Sequence, residues 1–209
     1  MKHLVVGPLA VNCFIIWDEE TLEAAVIDPG GSAEAIIREV ELNNLKLKTI
    51  INTHGHFDHI GANGAIASEF GAKIAIHKLD AYRLKEAKTN AMSFGIESEP
   101  SPDAEILMED GSIIEVGSIK VEVIHTPGHT EGGVCLYIRD RGVLFTGDTI
   151  FAGAVGRTDL SGGSFDTLMA SIKDKILTLD DETKIYPGHE GFSTIENEKR
   201  INPYVLDIL

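Results

Sequence analysis

The sequence predicts one mixed α/β domain spanning residues 1–209. Two observations support this prediction beyond the ordinary globular composition of 43% hydrophobic and 24% charged residues. Short strand-like apolar stretches alternate with helical stretches in two successive halves of the chain. The 209 residues suffice for one domain with a sizeable core, and no low-complexity segment divides them.

The first half alternates between strands and helices. Its strand-like stretches are residues 4–6, 13–17, 23–27, 48–53 and 73–77. Gly7-Pro8 predicts a hairpin turn between the first two strands. A helix capped by Ser32 is expected after the third strand, and a second helix over 62–70 is expected to end at Gly71.

The second half is richer in strands. The segment "ESEPSPDAE" near residue 100 predicts a loop within the domain. Two hairpins are expected after it, turning at Gly117-Ser118 and at residues 140–142. A helix over 165–177, capped by Ser164, and a strand over 184–186 follow. Ser193 or Thr194 is expected to cap a last short helix.

The charge and the apolar runs exclude several classes of partner. The net charge of −15 argues against broad nucleic-acid and anionic membrane surfaces. No run reaches the roughly 18 apolar residues of a membrane span. The N-terminal apolar run is broken by Gly7, Pro8 and Asn12, which favours a hairpin over a signal peptide. We therefore expect a soluble cytoplasmic protein in which Cys13 and Cys135 are free, buried strand residues.

The stretch "INTHGHFDHIGA" at 51–62 is the densest group of metal-binding residue types in the chain. His54, His56, Asp58 and His59 fall within six positions. Imidazole nitrogens and carboxylate oxygens suit zinc, iron or manganese. Because the preceding strand ends near residue 53, we expect the group to lie on a strand-to-helix loop, a common place for chemistry.

Three further residues share this local setting. His129 in "TPGHT", Asp148 in "FTGDT" and His189 in "YPGHE" each follow a glycine just past the end of a predicted strand. Taken singly, such a residue is usually part of a turn. Together with the group at 54–59 they predict a metal site, because strand ends at one edge of a sheet can converge. His3, His77 and His125 are interpreted as surface, strand-end or supporting residues.

These motifs resemble those of a known family. "THGHFDH", "TPGHTEGG", "FTGDTIF" and "YPGHE" resemble, in the right order, the ligand motifs of the metallo-β-lactamase fold superfamily. Within it, the chain is most similar to the glyoxalase II (hydroxyacylglutathione hydrolase) group. The runs "GAVGRTDLSGGS" and "STIENEKRINP" resemble short bacterial members and the related persulfide dioxygenases.

The resemblance implies a fold and a division of ligands. The fold would be a four-layer αββα sandwich with the site at one edge, without the C-terminal glutathione-binding helical domain of the longer members. One divalent ion, most simply zinc, although iron and manganese also suit the site, would be held by His54, His56 and His129. A second ion would be held by Asp58, His59 and His189, and Asp148 would bridge both.

Such a site suits hydrolysis of a small-molecule thioester. A hydroxide between two ions would attack the carbonyl, and the thiolate would leave with little help from an acid. Asp58 could accept a proton while it ligates. The chain contains neither a lipase-type G-x-S-x-G motif nor a P-loop that would point to other chemistry.

The sequence supports recognition of glutathione less clearly than it supports the metal site. Arg157 could grip a substrate carboxylate through two parallel hydrogen bonds, or it could form a structural salt bridge with Asp159. The family's tyrosine two residues after the last ligand histidine is replaced here by Gly191. A looser or different thioester substrate is therefore an open alternative.

Other functions agree with parts of the sequence. A persulfide dioxygenase would hold one iron through His54, His129 and Asp148. A non-catalytic metal-binding domain is a second alternative, but structural zinc sites are usually closed and cysteine-rich. A true β-lactamase should carry a signal peptide and lack the bridging aspartate. A nuclease should show a basic patch. A homodimer is an expectation without support from particular residues.

Overall fold

The computed structural model describes residues 1–209 and contains two six-stranded sheets. The first sheet has, in spatial order, the strands β1 Lys2–Val6, β2 Val11–Trp17, β3 Glu23–Ile27, β4 Lys46–Ile51, β5 Lys73–His77 and β6 Ile106–Met108. The second has β14 Ser193–Thr194, β13 Lys184–Pro187, β10 Val143–Gly147, β9 Val134–Ile138, β8 Ile119–His125 and β7 Ile113–Val116. A small ribbon joins β11 Ile150–Phe151 to β12 Ala154–Val155.

Helices cover the outer faces of both sheets. They are α1 Ala33–Leu42, α2 Phe57–Ile60, α3 Asn63–Phe70, α4 Arg83–Ser93, α5 Phe165–Ser171, α6 Ile195–Ile201 and α7 Pro203–Leu206. A 3₁₀ turn at Arg139–Arg141 joins β9 to β10, and a π-helical turn at Ile172–Ile176 extends α5. No helix in the structure has both the length and the apolar content needed to cross a membrane.

Three apolar layers hold these elements together. The middle layer joins the facing sides of the two sheets, for example through Phe14 and Phe145, whose ring centroids are 4.9 Å apart. The outer side of the first sheet packs against α1, α3 and α4, and that of the second sheet packs against α5 and the C-terminal helices. Burial of these apolar faces dominates the stability of such a packing. The order helix, sheet, sheet, helix confirms the predicted αββα sandwich.

Strand direction places the polar residues of interest at one edge. Strands β3 to β6 are parallel, so β3 and β4 present their carboxyl ends side by side, next to Asp28 and Thr53. In the second sheet β10 and β13 are also parallel, and their ends carry Asp148 and His189. Loops that follow such strand ends are where open α/β sheets generally form their sites.

Most of the predicted local features are present. Gly71 ends α3 in the left-handed conformation, and the side chains of Ser164 and Thr194 cap α5 and α6. Ser32 precedes α1 as predicted, but the prediction that its side chain caps the helix was wrong. Ser32 itself has a φ of 52°, and its hydroxyl accepts a hydrogen bond from the amide of Gly7 instead of capping α1. Cys13 and Cys135 are free and buried, as predicted.

Candidate metal centre

The structure brings all seven predicted residues together at one edge of the sandwich. Their donor atoms fall into three overlapping groups, in each of which all atoms lie within 4.8 Å of one another. The groups are His54, His56 and His129, then His54, His59 and Asp148, and finally Asp58, His59 and His189. Each residue follows the end of a strand or begins the short helix α2. The cluster therefore depends on the convergence of four loops.

The first three histidines point their ring nitrogens at one another. Nδ1 of His56 lies 3.1 Å from Nε2 of His54 and 2.9 Å from Nε2 of His129. The rings stand nearly perpendicular to each other, with interplanar angles of 81° to 89°. Three nitrogens facing a common point are the arrangement that three ligands of one ion require.

The group of Asp58, His59 and His189 resembles the group of three histidines. Nε2 of His59 lies 3.3 Å from Nε2 of His189, and Asp58 Oδ2 lies 3.4 Å from the latter nitrogen. Asp148 sits between the groups, with Oδ1 3.5 Å from Nε2 of His59 and Oδ2 3.5 Å from Nε2 of His129. A carboxylate with one oxygen toward each group is placed to bridge two ions.

The outer nitrogens of three histidines are held by the protein. Nδ1 of His54 meets the hydroxyl of Thr53 at 3.1 Å, and Nδ1 of His129 meets the carbonyl oxygen of Arg157 at 2.7 Å. Nδ1 of His59 lies 3.0 Å from Asp28. The last two contacts fix the ring tautomer with Nδ1 protonated, which leaves Nε2 for a ligand.

The electrostatics of the cluster follow from burial and close charges. Burial lowers the pKa of His54, and the neighbouring histidines lower it further. Burial also disfavours a charged His59, but Asp148, Asp28 and Asp58 outweigh this effect and raise its pKa to about 10. For Asp58 burial favours the neutral acid, yet His59 holds its pKa below the ordinary value. Neutral imidazoles and ionised carboxylates are the forms that bind metals, so an ion bound at Nε2 of His59 would replace the proton that the three carboxylates stabilise there.

The donors fit two metal ions. One observation is that Oδ1 of Asp148 is buried and has no hydrogen-bond partner, which is costly unless a cation satisfies it. The other observation is that ring nitrogens of different histidines lie 2.9 to 3.3 Å apart, an arrangement that a shared metal ion would explain. Five imidazoles and two carboxylates without a thiolate suit zinc, iron and manganese alike.

One supporting residue that the sequence analysis missed is Asp80. It is fully buried and accepts hydrogen bonds from the amides of Gly55 and Gly132 and the hydroxyl of Thr130, each at 2.8 Å. It thereby joins the loop of His54 and His56 to the loop of His129. Asp80 lies just past the end of β5, so the strand-end reasoning applied elsewhere would have pointed to it.

A second missed residue, Asn12, holds the loop of His189. Its side-chain amide donates to the carbonyl oxygens of Pro187 at 2.9 Å and Glu190 at 3.0 Å. Its Oδ1 lies 2.8 Å from Nε2 of His3. Because an amide oxygen can only accept, Nε2 of His3 is the donor. Nothing in the sequence near Asn12 indicates this contact over 175 positions.

Arg157 forms the salt bridge that was one of its two predicted roles. Its Nε and Nη2 donate to the two oxygens of Asp159 at 2.7 and 2.8 Å. Both groups are exposed, and the pair raises the pKa of the guanidinium and lowers that of Asp159 to about 2. The substrate-binding role of Arg157 stays a prediction.

The cluster opens into a cavity of about 930 Å³. Five of the seven cluster residues line it, together with Arg83, Arg157 and an apolar wall that includes Leu9, Phe94, Phe151 and Leu160. This size is typical of a small-molecule site, with an apolar wall and a few polar groups. Because the cavity is lined both by cluster residues and by an apolar wall, it suits a ligand that has a polar group and an apolar part.

Comparisons with known proteins agree with this geometry. The family model of the metallo-beta-lactamase superfamily matches residues 6–189. The chain is similar to hydroxyacylglutathione hydrolase GloC of Haemophilus influenzae, with 39% identity over 93% of this chain and 92% of that protein. It is also similar to the probable metallo-hydrolase YqgX of Bacillus subtilis, with 34% identity over 98% and 96% of the two chains.

Solved structures are similar over nearly the whole chain. The crystal structure of BLEG-1 B3 metallo-beta-lactamase superposes with a TM-score of 0.92 and 35% identity, covering 98% of both chains. The structure of TTHA1623 in a di-iron-bound form gives a TM-score of 0.90 and 32% identity over 98% of this chain and 100% of that one. The chain belongs to the metallo-beta-lactamase superfamily, and its His/Asp cluster is suited to two metal ions.

Proposed function

We propose that this protein is a metal-dependent hydrolase of small-molecule thioesters such as hydroxyacylglutathione. The observation that carries the proposal is the seven-donor cluster opening into a cavity large enough for such a substrate. The similarity to the hydroxyacylglutathione hydrolase of Haemophilus influenzae supports the same reaction class.

Two divalent ions would be held by the residues already described. We assign His54, His56 and His129 to one ion and Asp58, His59 and His189 to the other, with Asp148 between them. Bound there, such ions supply a nucleophilic hydroxide at neutral pH and polarise a carbonyl. Zinc is our first expectation, and the di-iron form of TTHA1623 supports testing iron beside it.

The side chains of the protein supply positioning and proton transfer. Asp58 lines the cavity as an ionised carboxylate and is placed to accept the proton lost by the attacking water. Asp28 orients the imidazole of His59, and the carbonyl of Arg157 orients that of His129. The apolar wall of the cavity would exclude water from the reacting carbonyl and bind an apolar part of the substrate.

Two residues leave the thiol part of the proposed substrate with few fixed contacts. Gly191 contributes no side chain where the glyoxalase II family uses a tyrosine. The fork of Arg157 is already engaged by Asp159. We therefore propose a thioester hydrolase that tolerates thiols other than glutathione.

The proposal is tested with lactoylglutathione and simpler acyl thioesters. Purified protein loaded with zinc or with iron should hydrolyse them, and removal of the metal with a chelator should abolish the reaction. The His56→Ala variant should lose activity and metal, whereas His125→Ala, a histidine outside the cluster, should keep both. Full hydrolysis by metal-free protein would contradict the proposal.

The similarity to BLEG-1 favours one second candidate, hydrolysis of a β-lactam amide. The presence of Asp148 between the two groups of donors argues against this reaction, because true β-lactamases are expected to lack that aspartate. The same metal-loaded preparation should therefore be assayed with a chromogenic cephalosporin. Turnover of the cephalosporin with none of the thioesters would replace our first choice.

Oxidation of a persulfide at one iron is the other alternative. Metal content and oxygen uptake distinguish it from hydrolysis. One iron per chain together with oxygen consumption on glutathione persulfide would support the dioxygenase, and two metals with thioester hydrolysis would support the hydrolase.

A further inference from the structure

A buried arginine, Arg83, lies beside the metal centre, and the proposed hydrolysis does not use it. It begins α4 and is only 3% exposed, yet it lines the cavity together with the cluster residues. Its stem packs against the backbone between two of the histidines, since a Cβ on Gly55 would lie 2.6 Å from Cβ of Arg83. Charged side chains are almost never this buried without a specific reason.

The protein satisfies only part of its guanidinium. Nε lies 3.3 Å from Asp80, and Nη2 donates to the carbonyl oxygen of Ser161 at 2.8 Å. Nη2 also lies 3.8 Å from the largely exposed carboxylate of Glu131. Nη1 makes no hydrogen bond within the protein and is not fully buried, so a ligand can reach it. The Asp80 carboxylate, for its part, is fully used by two backbone amides, a hydroxyl and this weak contact.

We infer that Arg83 is the anchor for a carboxylate carried by the substrate. The inference rests on the proposed thioester hydrolase and adds the residue that would bind a carboxylate of its substrate, a group that hydroxyacylglutathione carries. A free guanidinium donor on a side chain that is only 3% exposed forms strong charge-assisted hydrogen bonds to carboxylates. The bonds to Asp80 and Ser161 hold the fork in place before the ligand arrives, which lowers the entropic cost of binding.

Arg83 suits this role better than Arg157. The two donors of the Arg157 fork are taken by Asp159, and that pair is exposed to solvent, where a further contact to a carboxylate is worth little. Arg83 is screened from solvent and keeps a donor. Of the two arginines that line the cavity, Arg83 is therefore the buried one with a donor left for an anion.

A binding experiment tests the inference without relying on turnover. The probes are thioether acids that mimic the substrate but cannot be hydrolysed, in a series of spacer lengths, each beside its neutral amide. Calorimetry on zinc-loaded protein should show at least one acid binding more tightly than its amide. In Arg83→Gln this preference should fall by about tenfold or more, the value of a hydrogen bond to a charged group. Arg83→Lys should keep part of it.

Matched variants separate binding from general charge and folding effects. Arg139→Gln removes an exposed arginine that pairs with Glu122 away from the cavity, and it should keep the wild-type preference. If Arg83→Gln does not fold, as judged by thermal unfolding, Arg83→Lys replaces it, because lysine keeps the charge but loses the fork. An unchanged acid preference in the folded Arg83 variants, or a loss seen in Arg157→Gln alone, would overturn the inference.

The two proposals fail in different ways. If the acids bind through Arg83 but no thioester is hydrolysed, the binding inference stands and the hydrolase assignment fails. If thioesters are hydrolysed while acids and amides bind equally well, the hydrolase stands and Arg83 has only a structural role.

Discussion

The carboxylate of Asp28 lies 3.0 Å from Nδ1 of His59, and the same group accepts hydrogen bonds from the amide and the hydroxyl of Thr53. Asp28 has a φ of 49°, a conformation that aspartate and asparagine tolerate better than most residues. One buried side chain thus joins the end of β4 to a histidine of α2. It orients His59 so that only Nε2 faces the cluster.

Asp28→Asn should weaken metal binding in the group that contains Asp58, His59 and His189. Asparagine keeps the backbone conformation but removes the charge that holds the imidazole. Loss of such a supporting carboxylate typically costs about 10- to 100-fold in metal affinity. Competition titration with a chromophoric zinc chelator measures the effect. Asp18→Asn, which removes another buried loop carboxylate, should lower stability but not zinc affinity.

Gly188→Ala should damage the site although glycine carries no ligand. A Cβ at this position would lie 2.4 Å from Oδ1 of Asp148 and 2.7 Å from Cε1 of His59, so both side chains would have to move. We expect loss of at least one metal per chain, measured by elemental mass spectrometry. Gly191→Ala is the matched control, because no atom lies within 4 Å of its Cβ position. Equal metal content in both variants would contradict the close approach of Gly188 to the two ligands.

Asn12→Ala should loosen the loop of His189 from a distance. The change removes two hydrogen bonds to the carbonyl oxygens of Pro187 and Glu190, which would cost about 1–3 kcal/mol of stability where the groups stay buried. Zinc affinity should fall for one of two binding steps. Asn43→Ala, which removes an exposed asparagine bonded to Glu39, should leave both steps unchanged. A uniform loss in both steps would argue against a local role for Asn12.

Stability should depend on pH through His77. Its ring is buried and stacks on His125 at 4.1 Å, and burial followed by the charge of His125 lowers its pKa from 6.5 to about 4. The unfolded chain binds the proton near pH 6.5, whereas the native ring stays neutral until about pH 4. His77 therefore lowers stability as pH falls through this window, and its effect becomes constant below it.

Urea unfolding measures the contribution of His77. Between about pH 7 and about pH 5, the free energy of unfolding should fall by about 1–2 kcal/mol more in the native protein than in His77→Phe. Taking the difference between the two proteins cancels the titration of the metal cluster, because distant sites are close to additive. Parallel pH curves for both proteins would refute the shifted pKa.

Much of the fold and the site could be predicted because their signals are local. Five of the cluster residues follow a glycine or a strand end, and Asp58 and His59 lie in the short helix α2 directly after them. Parallel strands bring such ends together, as β10 and β13 do for Asp148 and His189. Helix α4 also carries a local signal, which the sequence analysis missed, since its buried Leu84, Ala87 and Ala91 recur at helical spacing.

The position of Asp80 past a strand end could have been noticed, but the partners of the supporting residues could not be predicted because each contact joins single residues far apart in sequence. Asn12 reaches Glu190 over 178 positions, and Asp80 meets Gly132 over 52. Neither contact belongs to a periodic pattern. Ser32 shows a related failure, since a hydroxyl expected to cap its own helix instead accepts a bond from Gly7. Local propensity yields to tertiary contacts at such positions.

The most direct test of the two-metal centre is anomalous diffraction from crystals of the zinc-loaded protein. We predict two peaks at the edge of the sandwich, one bounded by His54, His56 and His129 and the other by Asp58, His59 and His189, with Asp148 touching both. A single peak, or zinc bound elsewhere while these seven side chains remain apart from it, would contradict the two-metal centre on which the proposed hydrolysis depends.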